Sequence, residues 1–338
     1  MAFHSVRPIG ILVALVVVLS GCAGRGDIVS PGLPADSLYP SRTELEKTPF
    51  FPQKRYQCGP AALATTLTYS GVSVTPEELI PLVYIPEKKG SFQVEMIAAS
   101  RRYGRIPYVI EPKLSSLTAE LVSGRPVLVL QNLGTDIFPI WHYAVVIGYS
   151  LDDNEIVLRS GVTERSTLSA RRFNTTWGKG GHWGLVLLQP GDLPAEVDRK
   201  RYISAVVAME TISDPETLLA AYQAALSRWP DDVVALFGTA NAFHALGRLA
   251  KAEAVYLKLL NLYPNQAAAL NNLALVQGDS GCIEQAMATV DRGLSAAIDQ
   301  SASLESMLMQ TRLELLKRQA PGSSPMECGS SDKSTRGP

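Results

Sequence analysis

The C-terminal half of this chain repeats at an interval of 34 residues: Pro230 and Pro264, Gly247 and Gly281, Ala252 and Ala286, and Tyr256 and Val290 all stand that far apart. A period of this length belongs to a unit of two antiparallel helices, which cannot bury its apolar face alone and must stack on a neighbour. Residues 233–246 with 250–262, and 267–279 with 283–296, form two such pairs. Residues 214–228, with Tyr222 and Ala225 and followed by Pro230, read as the second helix of an earlier, degenerate unit, and residues 302–318 as a closing helix. Nothing ahead of residue 199 follows this period. The chain therefore divides into a helical stack and a different kind of domain before it.

The N-terminus bears on location. Arg7 precedes an apolar run over residues 9–19, short for a bilayer span. The run ends in Leu19-Ser20-Gly21-Cys22, which resembles the bacterial lipobox. That resemblance implies a signal peptide over residues 1–21 and lipidation of Cys22. With Ala23 rather than Asp next, it favours the outer membrane, facing the periplasm. Residues 22–44, rich in Gly, Pro and Ser at their start, read as a tether. Across 338 residues the formal net charge is -1 and no basic stripe occurs, which argues against a nucleic-acid partner.

Between the tether and residue 192 the pattern is mixed. Helices are predicted over residues 59–70, 75–83, 93–103 and 115–123, and strands over 108–110, 126–131, 142–149, 155–159 and 183–189. Asp152-Asp153-Asn154 supplies a hairpin turn between the third and fourth strands. Helices come first and strands last, as in an α+β domain with a helical lobe packed on an antiparallel sheet.

The chemistry centres on Tyr56-Gln57-Cys58-Gly59-Pro60, which opens the first of these helices. A thiolate is favoured there by unpaired first-turn N–H groups and by the positive end of the helix dipole. Pro60 fits a first turn, where its missing N–H costs little. A cysteine nucleophile also needs a base and donors for an oxyanion. His142, at the head of the strand His142-Tyr143-Ala144-Val145-Val146-Ile147-Gly148, is the candidate base. Gln53, five residues before Cys58, is the candidate oxyanion donor beside the Cys58 N–H, and Gln57 is a weaker one. His182 competes as base from Gly180-Gly181-His182-Trp183-Gly184. Trp141 is a candidate cleft wall, and Trp177 with its flanking glycines suggests a mobile loop over that cleft. His244 falls inside a repeat and reads as structural.

Phe51-Pro52-Gln53, Gln57-Cys58-Gly59-Pro60-Ala61-Ala62-Leu63 and His142 through Gly148 together resemble the bacteriocin-processing type of papain-like cysteine peptidase, whose members cut leader peptides after a double glycine. The resemblance spans roughly residues 45–190 and implies a papain-like peptidase domain over residues 45–192. In that family an Asp after the hairpin holds the histidine. Here Ser160 occupies the place, able to orient the ring but carrying no charge. Asp152 and Asp153 lie at the wrong end of the strand, and Glu164 would have to fold back. The period after residue 199 resembles tetratricopeptide repeats over residues 199–318, with Leu236 and Leu270 where the family has an aromatic. Residues 319–338 read as a disordered tail.

The sequence thus implies a membrane-anchored periplasmic cysteine peptidase acting through Cys58 and His142 on a peptide or protein substrate. It needs no cofactor, and no Cys or His spacing suits a structural zinc. The repeats offer a surface for a protein partner or a buttress for the enzyme. Two alternatives stay open: an inactive peptidase-like binding module, and a thiol hydrolase or acyltransferase acting on cell-wall peptides. An oxidising compartment permits a Cys282–Cys328 disulfide.

Overall fold

The computed structural model describes residues 39–297, 301–319 and residue 328. Cys22, the signal-peptide run and most of the expected tether and tail lie outside the described residues. In chain order the elements are β1 (Arg42–Glu44), α1 (Cys58–Tyr69), α2 (Pro76–Val83), a 3-10 turn (Pro86–Lys88), α3 (Gln93–Arg102), β2 (Ile106–Val109), α4 (Leu114–Val122), β3 (Val127–Asn132), β4 (Trp141–Ser150), β5 (Glu155–Ser160), β6 (Thr163–Ser169), α5 (Ala170–Lys179) and β7 (Gly184–Leu188). The helical stack follows as α6 (Arg199–Val207), α7 (Pro215–Arg228), α8 (Val233–Ala245), α9 (Leu249–Leu262), α10 (Ala267–Asp279), α11 (Ile283–Ala297) and α12 (Ala302–Arg318). No helix among the described residues is long and apolar enough to cross a membrane.

The sheet runs β2-β7-β3-β4-β5-β6, every pairing antiparallel, with β1 added beside β4. Alternation along β4 sends side chains to two different cores. Tyr143, Val145 and Ile147 join Leu63 and Leu67 of α1, Leu79 of α2 and Met96 of α3. Ala144 and Val146 join Leu117 of α4 and Phe173 and Trp177 of α5. The register shifts between Val146 and Gly148, and beyond that bulge Tyr149 returns to the face of Ala144 and Val146. Gly148 is required where β1 crosses: a Cβ there would stand 2.5 Å from the Thr43 carbonyl oxygen.

The expected helical lobe is therefore present on one face of the sheet, and the opposite face is covered as well. That second core continues through Tyr202, Ile203 and Val206 of α6 and Tyr222 of α7 to Ala235 of α8. The stack is fused to the sheet domain by shared apolar packing rather than hung from it. Its repeats pack as predicted, with Ala252, Tyr256 and Leu259 against Leu236, Leu270 and Leu273. Cys282 and Cys328 are joined by a disulfide that ties the tail to the head of α11.

Three segments differ from expectation. Residues 42–44, expected in the tether, form β1 because their backbone completes an open edge of β4. Residues 163–179, where a mobile loop was expected around Trp177, form β6 and α5. Trp177 is fully buried and stacked on Phe173, so it fills core and does not overhang the cleft. Helix α6 supplies the missing first helix of the degenerate repeat, its start capped by the Asp198 side chain.

Candidate active site

Cys58 is the first residue of α1, preceded by a turn that aims it into a cleft. Gln57 N–H donates to the Lys54 carbonyl, closing that turn, and Tyr56 within it sits at φ +65°. A bulky aromatic in the left-handed region costs about 1–3 kcal/mol, and such strain concentrates where a side chain must be held in place. Arg55 lies over the Tyr56 ring at 4.9 Å and Lys89 at 5.8 Å. Gly59 must be glycine: a Cβ would meet the Ser91 Oγ at 2.3 Å and its Cβ at 2.7 Å. That close approach brings residues 88–93 against the head of α1. Nothing in the spacing of the sequence pointed to Ser91 or to the left-handed backbone of Tyr56.

Burial pushes the Cys58 thiol up from its ordinary value, and the N–H groups of Tyr143, Gly59 and Cys58 itself act against that rise by favouring the anion. The helix-start position works as the sequence suggests, but desolvation is the larger effect. The resting sulfur is a neutral thiol surrounded by donors ready for a negative charge.

His142 is buried near the head of β4, and its Nε2 lies 2.9 Å from the Ser160 Oγ at the end of β5. Burial holds its pKa below the usual imidazole value, so the neutral ring is favoured at pH 7. With Nε2 engaged by Ser160, Nδ1 is the nitrogen left for chemistry. Next to Ser160, buried Arg159 donates to the carbonyls of Thr48, Glu46 and Glu164 and ties the chain ahead of Cys58 to β5 and β6. No hydrogen bond joins Cys58 to His142.

Both residues line one cavity of about 780 Å³, with Gln53, Tyr56, Ser91, Phe92, Ile140 and Trp141 among its walls and Lys88 and Lys89 at its edge. Gln53 is placed by its backbone N–H, which donates to the Gly161 carbonyl at 3.1 Å and brings it beside β5. Trp141 is 54% exposed and walls the cavity as expected. The Tyr143 hydroxyl donates to the Ser91 carbonyl, and burial, then Cys58 and Glu95, push its pKa up.

The remaining candidates fall elsewhere. His182 bonds Asn174 through Nε2 and packs edge-on against Trp177, in the α5–β7 connection. Asp153 accepts a bond from Ser150 at the far end of the hairpin, and Glu164 is exposed on β6. His244 bridges two repeats through Asp279. Among the described residues no group of three or more His, Cys, Asp or Glu side chains is placed to hold a metal ion.

Residues 45–182, which contain every member of this cleft, match the family model described as the Peptidase C39 like family. Among solved structures, the chain is similar to one described as a C39-like peptidase from Bacillus anthracis, at 17% identity and TM-score 0.37, over 44% of this chain and 98% of that one. It is also similar to the Sgt2 TPR domain from Aspergillus fumigatus, at 21% identity and TM-score 0.33, over 38% of this chain and 84% of that one. No curated protein matches it. The chain combines a sheet-containing domain similar to the C39-like peptidases with a following helical stack that resembles a TPR domain.

Proposed function

We propose that the protein is a cysteine peptidase in which Cys58 is the nucleophile, His142 the base and Ser160 the group that orients His142. The observation that carries this reading is the convergence of a helix-start cysteine and a serine-held histidine on one cavity. The family match over residues 45–182 supports the same class. In the first step His142 Nδ1 takes the thiol proton and the sulfur attacks a peptide carbonyl, with Nε2–H donating to Ser160. The Cys58 N–H and the Gln53 amide receive the negative charge on the carbonyl oxygen. Imidazolium returns the proton to the leaving amine, and water, deprotonated by His142, then releases the acyl group from sulfur. Cys58 and His142 are not hydrogen-bonded at rest, but both line one cavity, so a side-chain movement open to the free chain brings them together and a seated substrate holds them so.

The lipobox resemblance around Cys22 supports lipid anchoring, with the outer membrane, facing the periplasm, as the site of action. The core shared by the sheet and α6–α8 supports a buttressing role for the stack, whose later repeats stay available to a protein partner. A second reading, a peptide-binding module without turnover, is favoured by the neutral Ser160 and the burial-raised thiol. Incubation with an unstructured protein substrate, followed by mass spectrometry of the products, separates the two. Hydrolysis lost in both Cys58→Ala and His142→Ala supports the peptidase. Binding without cleavage in the unaltered chain refutes it, and release of cell-wall peptides alone would reassign the substrate.

A further inference from the structure

The β3–β4 connection thrusts apolar side chains into solvent: Ile137 is 81% exposed, Phe138 76%, Ile140 61% and Trp141 54%. Exposed apolar groups in such a cluster mark a surface that is covered in use. The tip is nevertheless well built. Asn132 Oδ1 accepts from the N–H groups of Gly134 and Ile140, and its Nδ2 donates to the Thr135 carbonyl. Leu133 N–H donates to the Ile140 carbonyl, Thr135 N–H to the Phe138 carbonyl, and Phe138 N–H to the Thr135 Oγ1. Gly134 permits the fold-back, since a Cβ there would stand 2.2 Å from the Phe138 carbonyl oxygen. The tip's one charged side chain, Asp136, faces Lys179 at 3.6 Å, and that lysine also donates to the Gly134 carbonyl.

These features choose between two occupants. A strand edge made to pair with a peptide leaves its N–H and C=O groups free, whereas here the N–H groups of residues 133, 134, 135, 138 and 140 are already used. Internal satisfaction of backbone donors is what entry into a water-poor medium demands, and within the tip the N–H groups of Asp136 and Ile137, at the turn, are the ones left for headgroup oxygens. Pro139, Ile140 and Trp141 line the cavity but Ile137 and Phe138 do not, so a peptide lying in the cavity would leave both in water. A half-exposed Trp behind an apolar tip, with Lys88 and Lys89 lining the same cavity, has the chemistry of a headgroup-level anchor.

We propose that this tip docks on an anionic lipid surface, with Ile137 and Phe138 entering the acyl boundary, Trp141 at headgroup depth and the lysines meeting lipid phosphates. The cavity then opens at the membrane, and the segment it takes is one presented there. Neither the reactivity of Cys58 nor acylation of Cys22 enters this inference. The test is Trp141 fluorescence of the full chain on vesicles of phosphatidylethanolamine and phosphatidylglycerol, with and without brominated acyl chains, isolated by subtracting the Trp141→Phe chain. We expect a blue shift and quenching by brominated lipid that fall at least fivefold in Ile137→Glu/Phe138→Glu, with an unchanged melting curve in solution. Because the readout is local to Trp141, it separates tip docking from attachment through the N-terminal segment. A Trp141 signal unaffected by brominated lipid overturns the proposal, as does equal quenching in the double variant. A signal that responds to a protein substrate and not to lipid assigns the tip to a protein and also overturns it.

Discussion

Replacing Ser160 by Asp tests how the histidine is held. Ser160 Oγ lies 2.9 Å from His142 Nε2, so a carboxylate there would place its charge about 4 Å from an imidazolium. At an effective dielectric of ~20 that attraction is about 4 kcal/mol. Ser160 is partly exposed, and solvent screening together with the cost of desolvating the new carboxylate reduces this to roughly 1.4–2.8 kcal/mol. Each 1.4 kcal/mol is tenfold in an equilibrium, so the thiolate–imidazolium form should rise about 10- to 100-fold at neutral pH. The sign follows from the resting state, in which burial disfavours both the thiolate and the imidazolium; a carboxylate counters the second penalty. The assay is the iodoacetamide alkylation rate of Cys58 between pH 5 and 9, read by intact mass. An accelerated, acid-shifted profile that disappears when His142→Ala is added supports the reasoning. A profile identical to that of the unaltered chain would show that Ser160 does not couple to the thiol through His142.

Four further outcomes are expected. Gly59→Ala should destabilise the sheet domain by about 1–3 kcal/mol, because rotating Ser91 relieves the Oγ clash but not the one with its Cβ; a denaturant titration checks this, and an unchanged midpoint would contradict it. Arg159→Met should cost about 3 kcal/mol by leaving the Thr48, Glu46 and Glu164 carbonyls without their charged donor, measured in the same way. The folded pKa of His142 is depressed, so its contribution is fully present above the unfolded value near 6.5 and is lost as pH falls below it; melting temperatures taken from pH 7 to 5 should fall less steeply in His142→Asn. Reducing the Cys282–Cys328 disulfide, whose cysteines are 46 residues apart, should cost the stack up to about 4 kcal/mol by chain entropy, and the transition of the Cys282→Ser/Cys328→Ser chain should not respond to reductant.

Periodicity made the stack legible: α10 and α12 span the residues expected, because a 34-residue repeat fixes helix phase, turn and partner together. The positions of Cys58, His142 and Ser160, though not their roles, were legible for a related reason, since a helix start and a hairpin register place side chains without knowledge of the rest of the fold. What stayed hidden depends on contacts distant in sequence. β1 is three residues of unremarkable composition, made a strand by the free edge of β4. α5 reads as a Gly-rich loop around Trp177, and only the core it enters makes it a helix. The cleft's far wall at residues 88–93 is brought in by the missing side chain at Gly59, and a glycine in a sequence does not say what approaches it. Desolvation was equally invisible: a helix start argues for a low thiol pKa, and burial reverses the sign.

The most direct test of the cysteine–histidine assignment is the rate at which Cys58 is alkylated at pH 7, in the unaltered chain and in His142→Ala. The account predicts at least a tenfold loss of rate in the variant, with cooperative melting retained. Equal rates would mean that His142 does not act on Cys58, and the peptidase reading would fall.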